Sequence, residues 1–239
     1  MKSTEFITEE YNDKIKSILH QAGEANNIEH DTMAKIIEIA NNANIEKTII
    51  ETLLKIGQEC KFYLKEAGLE AFSLYRGLES SISTVDKNIR LQGRETQAMS
   101  MDLKQYVNEF FTEYYGAPFR DSLFCTGDLQ ETDNFGYPYV IFPKGNFKYL
   151  WSPEVKDMNY KFNAWLHRFK KDIDPNNTSQ VFINNVLSPT EYKTTNLPSA
   201  IKSKNEIMIR GTGYYGIKLK FIDSTEQKTA IIKIIKLAG

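Results

Sequence analysis

The sequence predicts an α+β fold: a helical front end, then short strands spread among helices and loops. Three observations carry this. Apolar residues recur at helical spacing through residues 5–66. Beyond Gly68 the texture changes to short apolar runs closed by Gly, Pro or Asn. The C-terminal part is rich in β-branched and aromatic residues, with neither a regular strand–helix–strand alternation nor a Gly-rich dinucleotide fingerprint.

The elements follow in order. Phe6, Tyr11, Ile15, Ile18 and Leu19 predict a first helix. Asp31 or Thr32 caps a second, running through Ile36, Ile37 and Ile39. Asn44 caps a third, with Ile45, Ile49, Ile50, Leu53, Leu54, Cys60 and Leu64 on one broad face and Gly68 at its end. Residues 71–75 read as a strand leading into Arg76-Gly77, and residues 79–96, with Arg90 and Arg94, as a loop. A helix over 99–115 turns Met99, Leu103, Tyr106, Val107, Phe110 and Phe111 inward and stops at Gly116-Ala117-Pro118.

Residues 123–126, 139–142 and 147–151 read as strands, with a turn at Pro143-Lys144-Gly145-Asn146. The second half of 153–171 is helical and 174–177 is loop. Residues 181–187 suit either helix or strand, and 188–205 read as polar connection. Strands over 206–210, 214–222 and 229–237 close the chain, the last two joined by a hairpin at 223–226. The resulting division is a helical N-terminal region over 1–68 and an α+β domain over 69–239.

Composition narrows the function. Of 239 residues, 41% are hydrophobic, enough for a sizeable core. Thirty Lys+Arg stand against 31 Asp+Glu, so net charge gives no argument for nucleic acid or membrane as partner. Residues 1–10 contain no apolar run, so no signal peptide is expected, and no stretch approaches the ~20 apolar residues of a membrane span. Cys60 and Cys125 form neither a disulfide framework nor a zinc spacing, and buried free thiols in a reducing cytoplasm are expected. His20, His30 and His167 stand apart, so no metal site is expected.

Three strings carry the chemistry: Leu74-Tyr75-Arg76-Gly77, Phe124-Cys125-Thr126-Gly127 and Glu206-Ile207-Met208-Ile209-Arg210-Gly211-Thr212. Each is a strand-like run bearing one polar residue suited to binding or catalysis. A guanidinium offers a planar fork of donors matched to phosphate oxygens. A carboxylate beneath a developing positive charge stabilises a transition state more than a ground state.

The order Arg, Ser/Thr, Glu resembles the mono-ADP-ribosyltransferase family of the Arg–Ser/Thr–Glu type, over roughly residues 70–235. The resemblance implies a split mixed/antiparallel β-sandwich in the second domain and NAD as substrate, with no metal. It implies catalytic roles for Glu206, Arg76 and Thr126. Arg76 would meet the NAD phosphates, with Gly77 allowing close approach; Thr126, followed by Gly127, would orient Glu206; Phe135 or Tyr137, Phe135 preferred, would stack on nicotinamide. Glu206 would hydrogen-bond the 2′-hydroxyl of the nicotinamide ribose and stabilise an oxocarbenium-like state.

Two departures matter. Asp128 stands where the family carries a second hydroxyl, and Lys204 stands where members often carry Glu or Gln on the acceptor loop, which argues against arginine as acceptor. Asp121 and Asp157 are supporting groups at most. The general look of the chain also resembles transferases of tailed bacteriophages that modify host proteins, acting in the host cytoplasm. The expected function is therefore transfer of ADP-ribose from NAD to a macromolecular acceptor, protein first. The alternatives are an enzyme of the same fold modifying nucleic acid and a catalytically inactive phage binding or virion protein.

Overall fold

The computed structural model describes residues 17, 19–91, 100–169, 177–222 and 224–239. Of the expected first helix, everything up to residue 16 and Ile18 lie outside the described residues, as do Arg94, Met99, the loop at Asp174, Pro175 and Asn176, and Asp223.

The architecture is α+β. Three helices open it: α1 (His30–Asn42), α2 (Lys47–Glu59) and α3 (Lys61–Ala67). Then come β1 (Tyr75–Leu78), β2 (Thr84–Asn88), α4 (Met101–Tyr115), β3 (Leu123–Thr126), the short α5 (Leu129–Thr132), β4 (Tyr137–Pro143) and β5 (Lys148–Trp151). The remainder is α6 (Met158–Phe169), α7 (Thr178–Val186), α8 (Leu197–Ser203), β6 (Glu206–Arg210), β7 (Gly213–Lys218) and α9 (Thr225–Ala238).

The strands form one seven-stranded sheet in the order β2-β7-β4-β1-β3-β6-β5. Every neighbouring pair among the described residues is antiparallel, which the expected mixed or antiparallel arrangement allows. The sheet has a seam. β1 and β3 meet only at Tyr75↔Thr126, whereas β3 pairs with β6 and β1 with β4 along their lengths.

Each face of the sheet is covered by helices. One core joins Leu53, Leu54, Tyr63, Ile231 and Ile234 to Leu123, Cys125, Phe142, Ile207 and Ile209. The other joins Leu103, Val107, Phe111, Met158 and Phe182 to Phe124, Leu150 and Met208. Strands buried on both faces are mostly apolar, and β7 is buried at every residue, its final Lys218 included. The front helices are thus built into the main core: Tyr63 and Phe72 both pack edge-on against Phe142 of β4. α2 and α9 cross closely at Gly57, where a Cβ would meet Ala238 Cβ at 2.9 Å.

Several expectations are corrected. The 229–237 segment is helix α9 rather than a strand. Ser224 accepts from Gln227 N and caps it, and Ile231, Ile234, Ile235 and Ala238 form its buried stripe, so no hairpin joins it to β7. The polar segment after Leu78 contains β2, an edge strand that buries Val85 while its last three residues face solvent. The polar connection before Glu206 contains α8, started by Asn196, which accepts from Ser199 N, and by Pro198 in its first turn. β7 ends at Lys218, and Leu219–Phe221 is a 3₁₀ turn rather than more strand. The third helix breaks at Cys60 into α2 and α3. α1 and α2 are preceded by Glu29 and Glu46 without side-chain caps; Asp31 lies within the first turn of α1, and Asn44 is left-handed at φ 52°.

Of the 181–187 segment, residues 181–186 are helix, the end of α7, and Leu187 is extended. β3 and β6 run over the expected residues. α4 begins at Ser100, which accepts from Leu103 N, and ends at the left-handed Gly116. Both cysteines are free and buried. Burial first, then the neighbouring Glu59 carboxylate, pushes the Cys60 thiol up to about 12. Among the described residues no helix is long and apolar enough to cross a membrane.

Candidate functional site

The three marked residues come to three consecutive strands: Arg76 on β1, Thr126 at the end of β3 and Glu206 at the start of β6. Thr126 and Glu206 are direct register partners. Alternation puts them on the face of Phe124 and Met208, the pair two residues further along, which pack into the α4–α6–α7 core. Arg76 meets β3 at the seam, and its Nη1 donates to the Phe124 carbonyl at 2.6 Å. Its Nε is buried without a hydrogen-bond partner.

Thr126 acts through the backbone. Its hydroxyl donates to the Lys204 carbonyl at 3.0 Å and accepts from Asp128 N at 3.0 Å. It therefore ties the β3 end to the residue two before Glu206. Lys204 itself is left-handed, φ 63°, at the end of α8, and its side chain is exposed. Asn205 anchors the same bend by donating to the Ser152 and Pro153 carbonyls. Glu206 N donates to the Lys156 carbonyl.

Glu206 faces a partner that the motif reading missed. Arg120 Nη1 lies 2.6 Å from Glu206 Oε1, with side chains only 5% and 16% exposed. The guanidinium also sits 4.5 Å from the centre of the Phe124 ring. Arg120 is held in turn. Its backbone N donates to Asn108 Oδ1, Asp121 pairs with Lys104 at 2.6 Å and accepts from Asn108 Nδ2, and Arg210 donates to the carbonyls of Pro118 and Asp121. Burial lowers the Arg210 pKa, and Asp121 opposes that shift. Asp121 thus supports the site through this loop, whereas Asp157 accepts from Tyr160 N in the first turn of α6. The only sequence signal for Arg120 was a charged Arg-Asp pair at the mouth of an apolar strand.

The two glycines have structural reasons of their own. A Cβ at Gly77 would collide with the Thr132 carbonyl oxygen and come within 2.7 Å of Phe135 Cβ; one at Gly127 would collide with the Ile201 carbonyl. What approaches them closely is the protein's own chain. That packing brings Phe135, 68% exposed, beside the residue after Arg76. Tyr137 is 49% exposed, and Lys218 Nζ sits 3.4 Å from its ring centre. The Lys218 pKa is lowered, by desolvation first and Lys220 second.

The three strands offer a guanidinium on β1 with an exposed aromatic ring near it, and a hydroxyl in register with a half-buried, cation-paired carboxylate on β3 and β6; by register Tyr75, not Arg76, shares the face of Thr126 and Glu206. Among the described residues no cluster of three or more His, Cys, Asp or Glu has metal-ligand geometry. No family model, curated protein or solved structure matches the chain.

Proposed function

We propose that this chain is a mono-ADP-ribosyltransferase of the Arg–Ser/Thr–Glu type, using NAD as substrate and a macromolecule as acceptor. The observation that carries the reading is the adjacency of β1, β3 and β6, with Thr126 opposite Glu206 in register. Three residues singled out from remote segments of the sequence fall on neighbouring strands. The seam at Tyr75↔Thr126 suits the split of an ADP-ribosyltransferase sandwich.

In this mechanism Arg76 binds the pyrophosphate, and Phe135, the more exposed of the two aromatics, packs on nicotinamide. Glu206 accepts a hydrogen bond from the ribose 2′-hydroxyl. The bond between C1″ and the nicotinamide nitrogen breaks, its electron pair leaving with neutral nicotinamide. The ribosyl cation formed at C1″ is stabilised by the Glu206 carboxylate. An acceptor nucleophile then bonds to C1″ and loses its proton.

The exposed Lys204, two residues before Glu206, faces the acceptor side and suits a protein surface other than an arginine guanidinium. Free buried thiols suit a reducing cytoplasm.

The test is incubation of the protein with NAD labelled in the adenylate half and a bacterial lysate. Label in protein bands with wild type, reduced about 10²–10³-fold in Glu206→Gln, is the expected result. Label in nucleic acid moves the acceptor assignment. Absence of both label transfer and nicotinamide release overturns the reading.

A further inference from the structure

Glu206 is one half of a largely buried ion pair, and the other half, Arg120, comes from the loop before β3. We propose that Arg120 is a positioning residue for Glu206: it keeps the carboxylate ionised and aimed along β6 while the substrate supplies the rest of the site. This rests on the transferase reading above.

A carboxylate at the edge of an apolar core loses water, and desolvation alone favours its neutral form. A neutral acid cannot stabilise a ribosyl cation as an anion does. The cation facing Glu206 is Arg120, only 4% exposed, with Nη1 at 2.6 Å. Tyr192 also neighbours Glu206. Burial foremost, and then the Glu206 charge, raises the Tyr192 pKa well above its usual value, so it stays neutral. Glu191 lies beyond Tyr192, and the Lys104–Asp121 pair lies beyond Arg120.

Geometry shows a built device. The guanidinium stacks on Phe124, whose register partner Met208 offers Sδ to the same Nη1 at 3.8 Å. The backbone of Arg120 is pinned from α4 by Asn108, and the loop from β6 by Arg210. A side chain fixed at both ends holds its partner's carboxylate in one orientation, which pre-organised catalysis requires.

The experiment compares wild type, Arg120→Met and Arg120→Lys, using NAD as probe. Nicotinamide release is followed across pH, NAD binding by calorimetry, and the Glu206 carboxyl by ¹³C NMR, assigned with Glu206→Gln. Removing the cation raises the carboxyl pKa. The anion then persists only at higher pH, and the acidic limb of the rate profile moves up by about 1–3 pH units in Arg120→Met. NAD affinity stays within about threefold, and Arg120→Lys returns the limb most of the way, since the lysine restores charge without the fork.

A folded Arg120→Met with the wild-type limb and wild-type Glu206 titration overturns the proposal. Wild type that releases no nicotinamide overturns the transferase reading instead. The positioning claim is then decided by NMR alone: a raised Glu206 titration in Arg120→Met upholds it, and an unchanged one sinks it.

Discussion

Glu206→Ala lowers stability by about 3–4 kcal/mol, and adding Arg120→Met returns about half of the loss. Removing one partner of a buried ion pair leaves the other charge without compensation, which typically costs about 3–5 kcal/mol. Arg120 is nearly inaccessible, whereas the Glu206 side chain keeps 16% of its exposure, so the lower part of that range applies. Methionine fills much of the arginine volume beside Phe124 and Met208 without a charge.

Urea unfolding of the two single variants and the double variant measures the coupling. Additive losses would mean that the pair contributes nothing as a pair. The same reasoning selects Glu206→Gln for activity assays, because the amide oxygen still accepts from Arg120. Loss of turnover then reports the missing charge rather than a loosened loop.

Gly127→Ala is expected to cost about 3 kcal/mol, against about 1 kcal/mol for Gly116→Ala. The two glycines are needed for different reasons. At Gly116 the backbone is left-handed, φ 70°, and nothing lies within 4 Å of a built Cβ, so alanine meets backbone strain alone. At Gly127 a Cβ would fall on the Ile201 carbonyl, and Ile201 carbonyl carbon would lie 2.7 Å away. Relief requires moving the end of α8 away from β3, and with it the Lys204 carbonyl that Thr126 holds. The substitution therefore also disturbs the approach to Glu206. Equal midpoints for the two variants in urea would contradict this account.

Two of the three strands that carry the candidate site were legible because their neighbours on both faces demand apolar side chains, whereas β1 lies at Tyr75–Leu78, beyond most of the expected 71–75 run. β3 and β6 show short apolar runs closed by turn residues, and their bounds follow. The C-terminal segment misled because Ile231-Ile232-Lys233-Ile234-Ile235 satisfies both a strand and a helix pattern. Ser224 and the facing α2 decide in favour of the helix. β2 was hidden because an edge strand needs few apolar residues, and α8 because Asn196 and Pro198 sit in a segment that otherwise reads as loop.

Within the site, residue types and order were readable, but pairing was not. Arg120 and Glu206 lie 86 positions apart. The antiparallel register sets the loop before β3 beside the end of β6, where Arg210 holds it, and the long Arg120 side chain reaches back past Phe124 and Met208 to the start of β6. The same holds for Thr126. Its hydroxyl was expected on the carboxylate, and the structure gives it to the backbone that presents Glu206.

The most direct test of the central claim is a crystal structure of Glu206→Gln, slowed in turnover, with NAD. The account predicts the pyrophosphate on the Arg76 guanidinium, the nicotinamide beside Phe135 and the nicotinamide-ribose 2′-hydroxyl within hydrogen-bond distance of residue 206. NAD bound elsewhere on the molecule, or no NAD in crystals soaked at millimolar concentration, would contradict it.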